Sequence, residues 1–493
     1  MTGRLTSTAE LNGDVQRPGY VREDHGAGIV HIGLGAFHKA HQAIYTDDAL
    51  AASGGDWRII GVSLRSAEPA AELAPQNGLY TVIARDAAGS RARVIGAIAG
   101  AYCLRTERRT VLDALCAQQT RIVSITVTEK GYGLDRATGG IDTTHPAIAA
   151  DLATPETPQG LAGLLVWALR QRNAAGVPPF TILSCDNLPE NGPLTRGLIA
   201  DFARHVAPDL VDHILTEVAF PSTMVDRITP ARGPQTGALA RQMTGHDDAA
   251  AIETEVFSQW VIEDHFPTGR PKWEAGAAIF VDDVRPYETM KLHMLNGAHS
   301  MLAYAGFLSG HRYVRDVMND QGLAALVRRH LHAAAATLKP LPGVDFAGYT
   351  AELEERFRNP HLAHETYQIA MDGTEKMPQR IFAPAAAALA RGQPLEPFTF
   401  ATAMWIRYTF GRTDAGDLYD LRDPRAAEMP PPEPSESAEQ IVRDRLRLPG
   451  LCPPELCGNN VWLRDVTAQL AQLMQCGVSA TVAAGASPDW WPD

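Results

Sequence analysis

Cysteine is too scarce in this chain to build a disulfide framework: there are six in 493 residues. Cys103, Cys116 and Cys185 are scattered, and only Cys452 and Cys457 lie close, in CPPELC. A gap holding two prolines, with no second pair nearby, is a weak metal signal, so no metal site is expected. Long apolar runs are also missing. Nothing approaches the roughly 20 apolar residues of a membrane span, and the opening MTGRLTSTAELNGDVQRPGY has no apolar run of signal-peptide length. The expectation is a cytoplasmic protein in a reducing compartment. Basic residues are in deficit, 44 against 57 acidic, for a net charge of −13. That balance argues against nucleic acid or an anionic membrane as partner. It still permits an anionic small molecule, because a pocket can be locally positive.

What is present is ordinary for a globular enzyme, with 45% hydrophobic and 20% charged residues. The length exceeds what one compact core fills, so two domains are expected. The first structured element is the β-branched run Gly28 to Gly33, entering Gly33-Leu34-Gly35; Ala36 to Leu50 then reads as a helix. Further strand candidates are Trp57–Val62, Ile122–Val127 and Phe180–Leu183, with helical stretches such as Gly160 to Arg172 between them. Short buried strands alternating with helices predict a parallel α/β sheet. From Tyr287 onward alanine and leucine dominate and nearly everything reads helical, including Glu288 to Leu308. The boundary falls near residue 283, giving an α/β domain over 1–283 and a mostly α-helical domain over 284–493.

Gly33-Leu34-Gly35-Ala36-Phe37-His38 places two glycines at a strand-to-helix turn. Bare backbone there can approach a pyrophosphate, and the following helix offers unpaired N–H groups to it. Gly33, Gly35, Ala36 and Phe37 are therefore the candidate dinucleotide contacts, although His38 replaces the third glycine of the fingerprint. A carboxylate ending the second strand would bind the ribose 2′-hydroxyl. Here Gly61-Val62-Ser63-Leu64-Arg65-Ser66 has no acid before Glu68. Arg65 suits either a 2′-phosphate or stacking on adenine, which leaves NAD against NADP open.

The richest stretch is YETMKLHMLNGAHS, residues 287–300. At about 100° per residue, Lys291 sits at the edge of an apolar stripe, and Glu288, Asn296 and His299 share the adjoining face. A partly desolvated lysine has a lowered pKa and can accept a hydroxyl proton. Asn296 can donate to the developing carbonyl oxygen, His299 can hold a neighbouring hydroxyl, and Glu288 can relay the proton outward. The bland alternative is a helix with a snorkelling lysine. Asn187, in SCDNLPENG after a strand candidate, is a second donor or a turn asparagine. Asp226, in FPSTMVDR, is a sugar-hydroxyl ligand or half of a surface Asp–Arg pair.

These segments resemble the mannitol dehydrogenase family of polyol-specific long-chain dehydrogenases. The resemblance runs through HIGLGAFHKAHQ (31–42), TEKGYG (128–133), SCDNLPENG (184–192), FPSTMVDRITP (220–230), YETMKLHMLNGAHS (287–300) and QIAMDGTEKMPQR (368–380). It implies a Rossmann-type N-terminal domain, a helical C-terminal domain and a cleft between them. It also implies a metal-independent, nicotinamide-dependent oxidation of a secondary alcohol on a linear sugar derivative, by a monomer. Lys291 is then the base, Asn187 and Asn296 the oxyanion donors, and Glu288 the proton relay, with Glu129 and Asp226 lining the same cleft. Gln368 stands where polyol-oxidising members tend to carry arginine, so the chain looks closer to the fructuronate reductase (mannonate oxidoreductase) branch. Lys376 and Arg380, four apart, would meet a sugar-acid carboxylate or form a surface basic pair. D-Mannonate/D-fructuronate is the favoured substrate pair, with mannitol/fructose next.

Three other readings compete with this one. Tyr287-x-x-x-Lys291 spells the short-chain dehydrogenase pair, but in that class the pair lies within the Rossmann domain. A zinc alcohol dehydrogenase needs cysteine and histidine ligands that do not assemble here. A nucleotide-sensing, sugar-binding regulator need not keep base, oxyanion donors and hydroxyl ligand together.

Overall fold

The computed structural model describes residues 3–135 and 138–485. The chain divides into two compact units, Met1–Arg285 and Pro286–Asp493.

The first unit is built on a five-stranded sheet. In chain order the strands among its described residues are β1 (Ala27–Ile32), β2 (Arg58–Ser63), β3 (Tyr80–Asp86), β4 (Gly89–Ile95), β5 (Ile98–Cys103), β6 (Ile122–Ile125), β7 (Thr181–Ser184), β8 (Thr223–Asp226), β9 (Ile252–Glu255), β10 (Gln259–Glu263) and β11 (Ile279–Val281). The main sheet has the order β5-β2-β1-β6-β7 with every pairing parallel. Its strands are short and apolar because both faces are covered. Val30 and Ile32 join the core formed with helices Leu161–Ala174 and Asn191–Val206, while Ile29 belongs to the core on the opposite face. The strand order reverses between β1 and β6, the place where sheets of this kind bind ligands. Two mixed three-stranded sheets, β4-β3-β9 and β11-β10-β8, accompany it. The sequence reading anticipated neither.

The helix expected over Ala36 to Leu50 is broken. It consists of α1 (Ala36–Ala40) and α2 (Gln42–Ser53), separated by His41 at φ −128°, ψ −93°. The Arg227 guanidinium donates to the Ala40 carbonyl at 2.6 Å, and His41 Nε2 meets the Gln259 carbonyl at 3.0 Å. Tertiary partners thus replace helical hydrogen bonds at the one residue where the chain turns.

The second unit is helical. Its centre is Gly297–Leu308, in which every residue but Phe307 is buried, packed against Glu396–Tyr408 and Gln321–Ala336. A helix apolar all round belongs in an interior. Two segments, Lys291–Asn296 and Pro378–Phe382, are π-helical. They touch at Gly297, where a Cβ would come within 2.7 Å of the Arg380 carbonyl. Among the described residues no helix is long and apolar enough to cross a membrane.

Several histidines are buried in both units. Burial lowers His31 to about 3 and His293 and His330 to about 4. Each folded value lies below the value of about 6.5 for an unfolded histidine. As pH falls from 7, the unfolded chain therefore takes up protons that the folded chain refuses. Stability is intact above about pH 6.5 and is lost as the pH falls toward 4. Each ring is expected to cost about 2 kcal/mol between pH 7 and pH 5. Urea titrations at the two pH values check this in wild type and in His330→Gln. The variant should lose less stability on acidification by about that amount, whereas equal losses would show that His330 charges in the folded state.

Candidate functional site

At the switch point, Gly33 has φ +103°, and a Cβ there would lie 2.0 Å from the Thr126 carbonyl. Only glycine fits. Gly33 N–H donates to Val62 O at 2.8 Å and Gly35 N–H to Gly33 O at 2.7 Å, which closes the turn. The histidine replacing the third glycine has its own function: His38 stacks on His31, centroids 3.4 Å apart and planes within 12°. Thr126 Oγ1 donates to Gly33 O at 2.9 Å. With its one proton used there, it accepts from His31 Nε2–H at 2.9 Å, and His31 Nδ1 accepts from Ser124 Oγ, also 2.9 Å away. A neutral His31 is required for this arrangement, and its burial ensures that state.

A cavity of about 550 Å³ opens beside this turn. Gly33 and Gly35 form one wall, Ser63 to Ser66 another, and Thr126 to Thr128 a third. The side-chain-free approach at Gly33 and the position at the carboxyl ends of β1, β2 and β6 fit a dinucleotide pyrophosphate. Of the expected cofactor residues, Gly33, Gly35 and Arg65 line the cavity. Ala36 and Phe37 open α1 next to it without lining it, and the Phe37 ring stacks on His41 at 5.1 Å instead.

The same edge gathers three of the motifs. Asp186 accepts from Val127 N–H and Thr128 N–H, both at 3.0 Å, and from the Tyr132 hydroxyl at 2.9 Å. This holds the short helix Glu129–Tyr132, with exposed Glu129 at its start, beside exposed Asn187. Thr128 sits at φ +66°, an unfavourable backbone that the two amide bonds maintain. The wholly buried Asn191 ties this loop to β8 through Nδ2–H to Asp186 O (3.1 Å) and Thr223 O (2.8 Å), and through Oδ1 to Thr223 N–H (2.9 Å). Asp226 ends β8, 5% exposed. It is buried and not on the surface, and Arg227 points inward to the carbonyls of Ala40 and Glu255. Sequence reasoning singled out Asn187 and Glu129 and passed over Asp186, Tyr132 and Asn191. All three stand inside the quoted motifs, but only their partners reveal what they do.

In the second unit, Lys291 starts the first π-helical segment and Asn296 ends it. A projection at the α-helical angle therefore misplaces the face they share, because the π turn closes i to i+5. Such turns are frequent at functional sites. Lys291 and His299 are each 8% exposed, and Glu288 and Asn296 are half-buried. Arg380, on the second π-helical segment, brings its guanidinium within 3.5 Å of the Asn296 carbonyl and 3.3 Å of Ser300 Oγ. His299 lies against Phe357 and His364, with ring centroids at 4.7 and 5.4 Å. Burial keeps His299 well below the usual histidine range, and the charges of His364, Arg356 and Arg380 push it the same way. Lys376 differs from Arg380. Its ammonium donates to the carbonyls of Met371 (2.6 Å) and Ile369 (3.3 Å), with Asp372 at 3.8 Å. Arg356 and His364 were not anticipated, and no periodicity points to them. Among the described residues no group of three or more His, Cys, Asp or Glu side chains forms a candidate metal site.

Comparison with known proteins agrees with this geometry. Residues 27–275 match the mannitol dehydrogenase Rossmann domain, and residues 283–473 match the mannitol dehydrogenase C-terminal domain. The D-mannonate oxidoreductase of Escherichia coli K12 is 39% identical, over 97% of this chain and 100% of that protein. A mannitol 2-dehydrogenase of Cereibacter sphaeroides is 41% identical, over 83% of this chain and 86% of its own. Among solved structures, the mannitol 2-dehydrogenase of Pseudomonas fluorescens, a ternary complex with NAD and D-mannitol, superposes with a TM-score of 0.79 at 35% identity. It covers 98% of this chain and 99% of that one. With a parallel sheet, a glycine turn at its switch point and a helical second unit, each matched in order, the chain belongs to the mannitol dehydrogenase family of oxidoreductases.

Proposed function

We propose that the protein interconverts the secondary alcohol and the ketone of a linear sugar acid, D-mannonate and D-fructuronate above all, with NAD as coenzyme. We place it in the cytoplasm, as a monomer. As a member of its family it is a dehydrogenase of polyols or sugar acids. The observation that carries the sugar-acid reading is the charge around His299. In a chain of net charge −13, the guanidinium groups of Arg356 and Arg380 act on one buried neutral imidazole, that of His299. Buried cations favour a ligand that brings its own negative charge. The relative that acts on mannonate supports the same substrate class.

The roles follow from side-chain chemistry. Buried Lys291 takes the hydroxyl proton as the C–H hydride leaves, and the carbon–oxygen bond becomes a carbonyl. NAD supplies the hydride acceptor when bound. Asn187 and Asn296 donate to the oxygen as negative charge gathers on it. Glu288 passes the proton outward, neutral His299 holds a neighbouring hydroxyl, and Glu129 and Asp226 hold others. Arg380 meets the carboxylate. Lys376, anchored on main-chain carbonyls, adds its positive charge to that of Arg380.

Lys291→Ala is expected to lower kcat by about a thousandfold, with coenzyme affinity little changed. A variant retaining a tenth of wild-type turnover would refute the assignment. Because lysine and two asparagines stand in for a Lewis acid, prolonged EDTA treatment should leave activity intact, and loss restored by zinc would contradict it. For the substrate, a charge-assisted contact of about 1.5–3 kcal/mol predicts that mannonate exceeds mannitol in kcat/KM by one to two orders of magnitude. Arg380→Ala should erase that ratio. Since Arg380 also holds the Asn296 turn, the ratio rather than either rate is the readout. Wild-type enzyme that oxidises both equally well is a polyol dehydrogenase.

A further inference from the structure

The segment CPPELC, residues 452–457, joins the helices Ala438–Leu446 and Asn460–Cys476 of the second unit, and the chemistry proposed above makes no use of it. Its two prolines dictate its shape. Pro453 is the N-cap and Pro454 the first residue of the short helix Pro454–Cys457, where a fixed φ and a missing N–H are tolerated. The N–H groups of Leu456 and Cys457 both donate to the Pro453 carbonyl, at 3.0 and 3.1 Å, which closes the turn. Counted from that cap, Cys452 is the residue before it and Cys457 the fourth after it. Those are the two positions whose side chains pack together across a helix start. The Cys452 sulfur accordingly meets both the thiol and the main-chain N–H of Cys457. Wholly buried Leu456 anchors the turn, which packs against the helix Ala383–Ala390, while both cysteines are half-buried free thiols.

Two adjacent sulfurs suit either a metal ion or oxidation. Zinc takes four ligands, and among the described residues no group of three or more His, Cys, Asp or Glu could hold a metal ion. Oxidation needs only the pair. The remaining cysteine of the second unit, Cys476, ends the 17-residue helix that Asn460 begins. About 24 Å of helix therefore separates it from the pair, far beyond disulfide reach. Burial first, then the Cys457 thiol and the charge of Glu455, raise the Cys452 thiol above the usual cysteine range. Cys452 thus holds its proton, and Cys457 is the sulfur that reacts first.

We propose that Cys452 and Cys457 are a reversible modification site, oxidised by hydrogen peroxide to a disulfide across the turn between the two helices. The Cys457 thiolate, its proton released to water, attacks one peroxide oxygen. An S–O bond forms, the O–O bond breaks and hydroxide leaves. Cys452 then gives up its proton, and its sulfur attacks that of Cys457. The S–S bond forms as the S–O bond breaks, and a second hydroxide leaves. The two thiols have lost two electrons and two protons, and the peroxide has become two waters. A small thiol reverses the step by exchange. A disulfide of this transient kind is the one compatible with a reducing compartment.

Mass spectrometry of the whole protein after peroxide treatment tests this. Remaining thiols are alkylated, and the tryptic peptide 448–464, which holds both cysteines, is weighed. It is expected unalkylated and lighter than the reduced peptide by two hydrogen atoms, with both thiols recovered after dithiothreitol. Exposed Cys476 should gain oxygen instead, which shows that the oxidant was active. Cys452→Ser should leave oxygen on Cys457, whereas Cys457→Ser should leave Cys452 a thiol under the same treatment. In the wild type, oxygen added to either cysteine without a cross-link overturns the proposal. So does a pair still fully reduced once Cys476 is oxidised, a result that does not depend on how either variant folds.

Discussion

The carbonyl of Thr126 occupies the space where a side chain at residue 33 would begin, and the organisation of the first unit depends on that close approach. Glycine allows β1 to end against β6, and the Thr126 hydroxyl then reaches the Gly33 carbonyl and His31 Nε2. From there the connections continue residue by residue. Asp186 holds the amides that follow Thr126, Asn191 holds the Asp186 loop to β8, and Arg227 beyond β8 returns to the end of α1. Four motifs far apart in the chain are thereby fixed to one edge of one sheet. Such a network keeps polar ligands in register because every buried member has a defined partner.

The second unit solves a different problem. It carries a lysine, an asparagine and a histidine on a helix that is otherwise core. The π-helical turn at 291–296 widens the helix at that point, and a second one at 378–382 packs against it through Gly297. Arg380 then bonds to the carbonyl of Asn296, where a π turn leaves main-chain oxygens open to outside donors. Burial holds the histidines around this turn below the usual histidine range, and at His299 the neighbouring charges push the same way. Neutral imidazoles both donate and accept, which suits contact with sugar hydroxyls.

Charge is distributed unevenly. The acidic surface is general, while the cations that matter are few and local: Arg65 and Lys130 at the cavity of the first unit, Arg356 and Arg380 around His299 in the second. Net charge describes solubility and long-range attraction, and it does not predict the sign of a pocket.

Periodicity and turn chemistry made the parallel sheet, the glycine turn and the helical second half legible in the sequence, because local spacing reports local burial. Lys291, Asn296, His299, Asn187 and Asp226 stand in compact motifs whose residue types match what we propose for alcohol oxidation: a base, donors and hydroxyl ligands. Other features had no local signal. The break at His41 comes from Arg227 and Gln259, more than 180 residues away in the chain. The two mixed sheets join strands whose pairing no alternation could specify, and the two π turns come together at Gly297 only in the folded chain. Asp186, Asn191, Arg356 and His364 acquire their significance only from the groups placed opposite them. Sequence determined which chemical groups this protein carries and the local elements that bear them; tertiary packing alone decided which of those groups face one another, since hydrogen bonds and charges act through space and not along the chain.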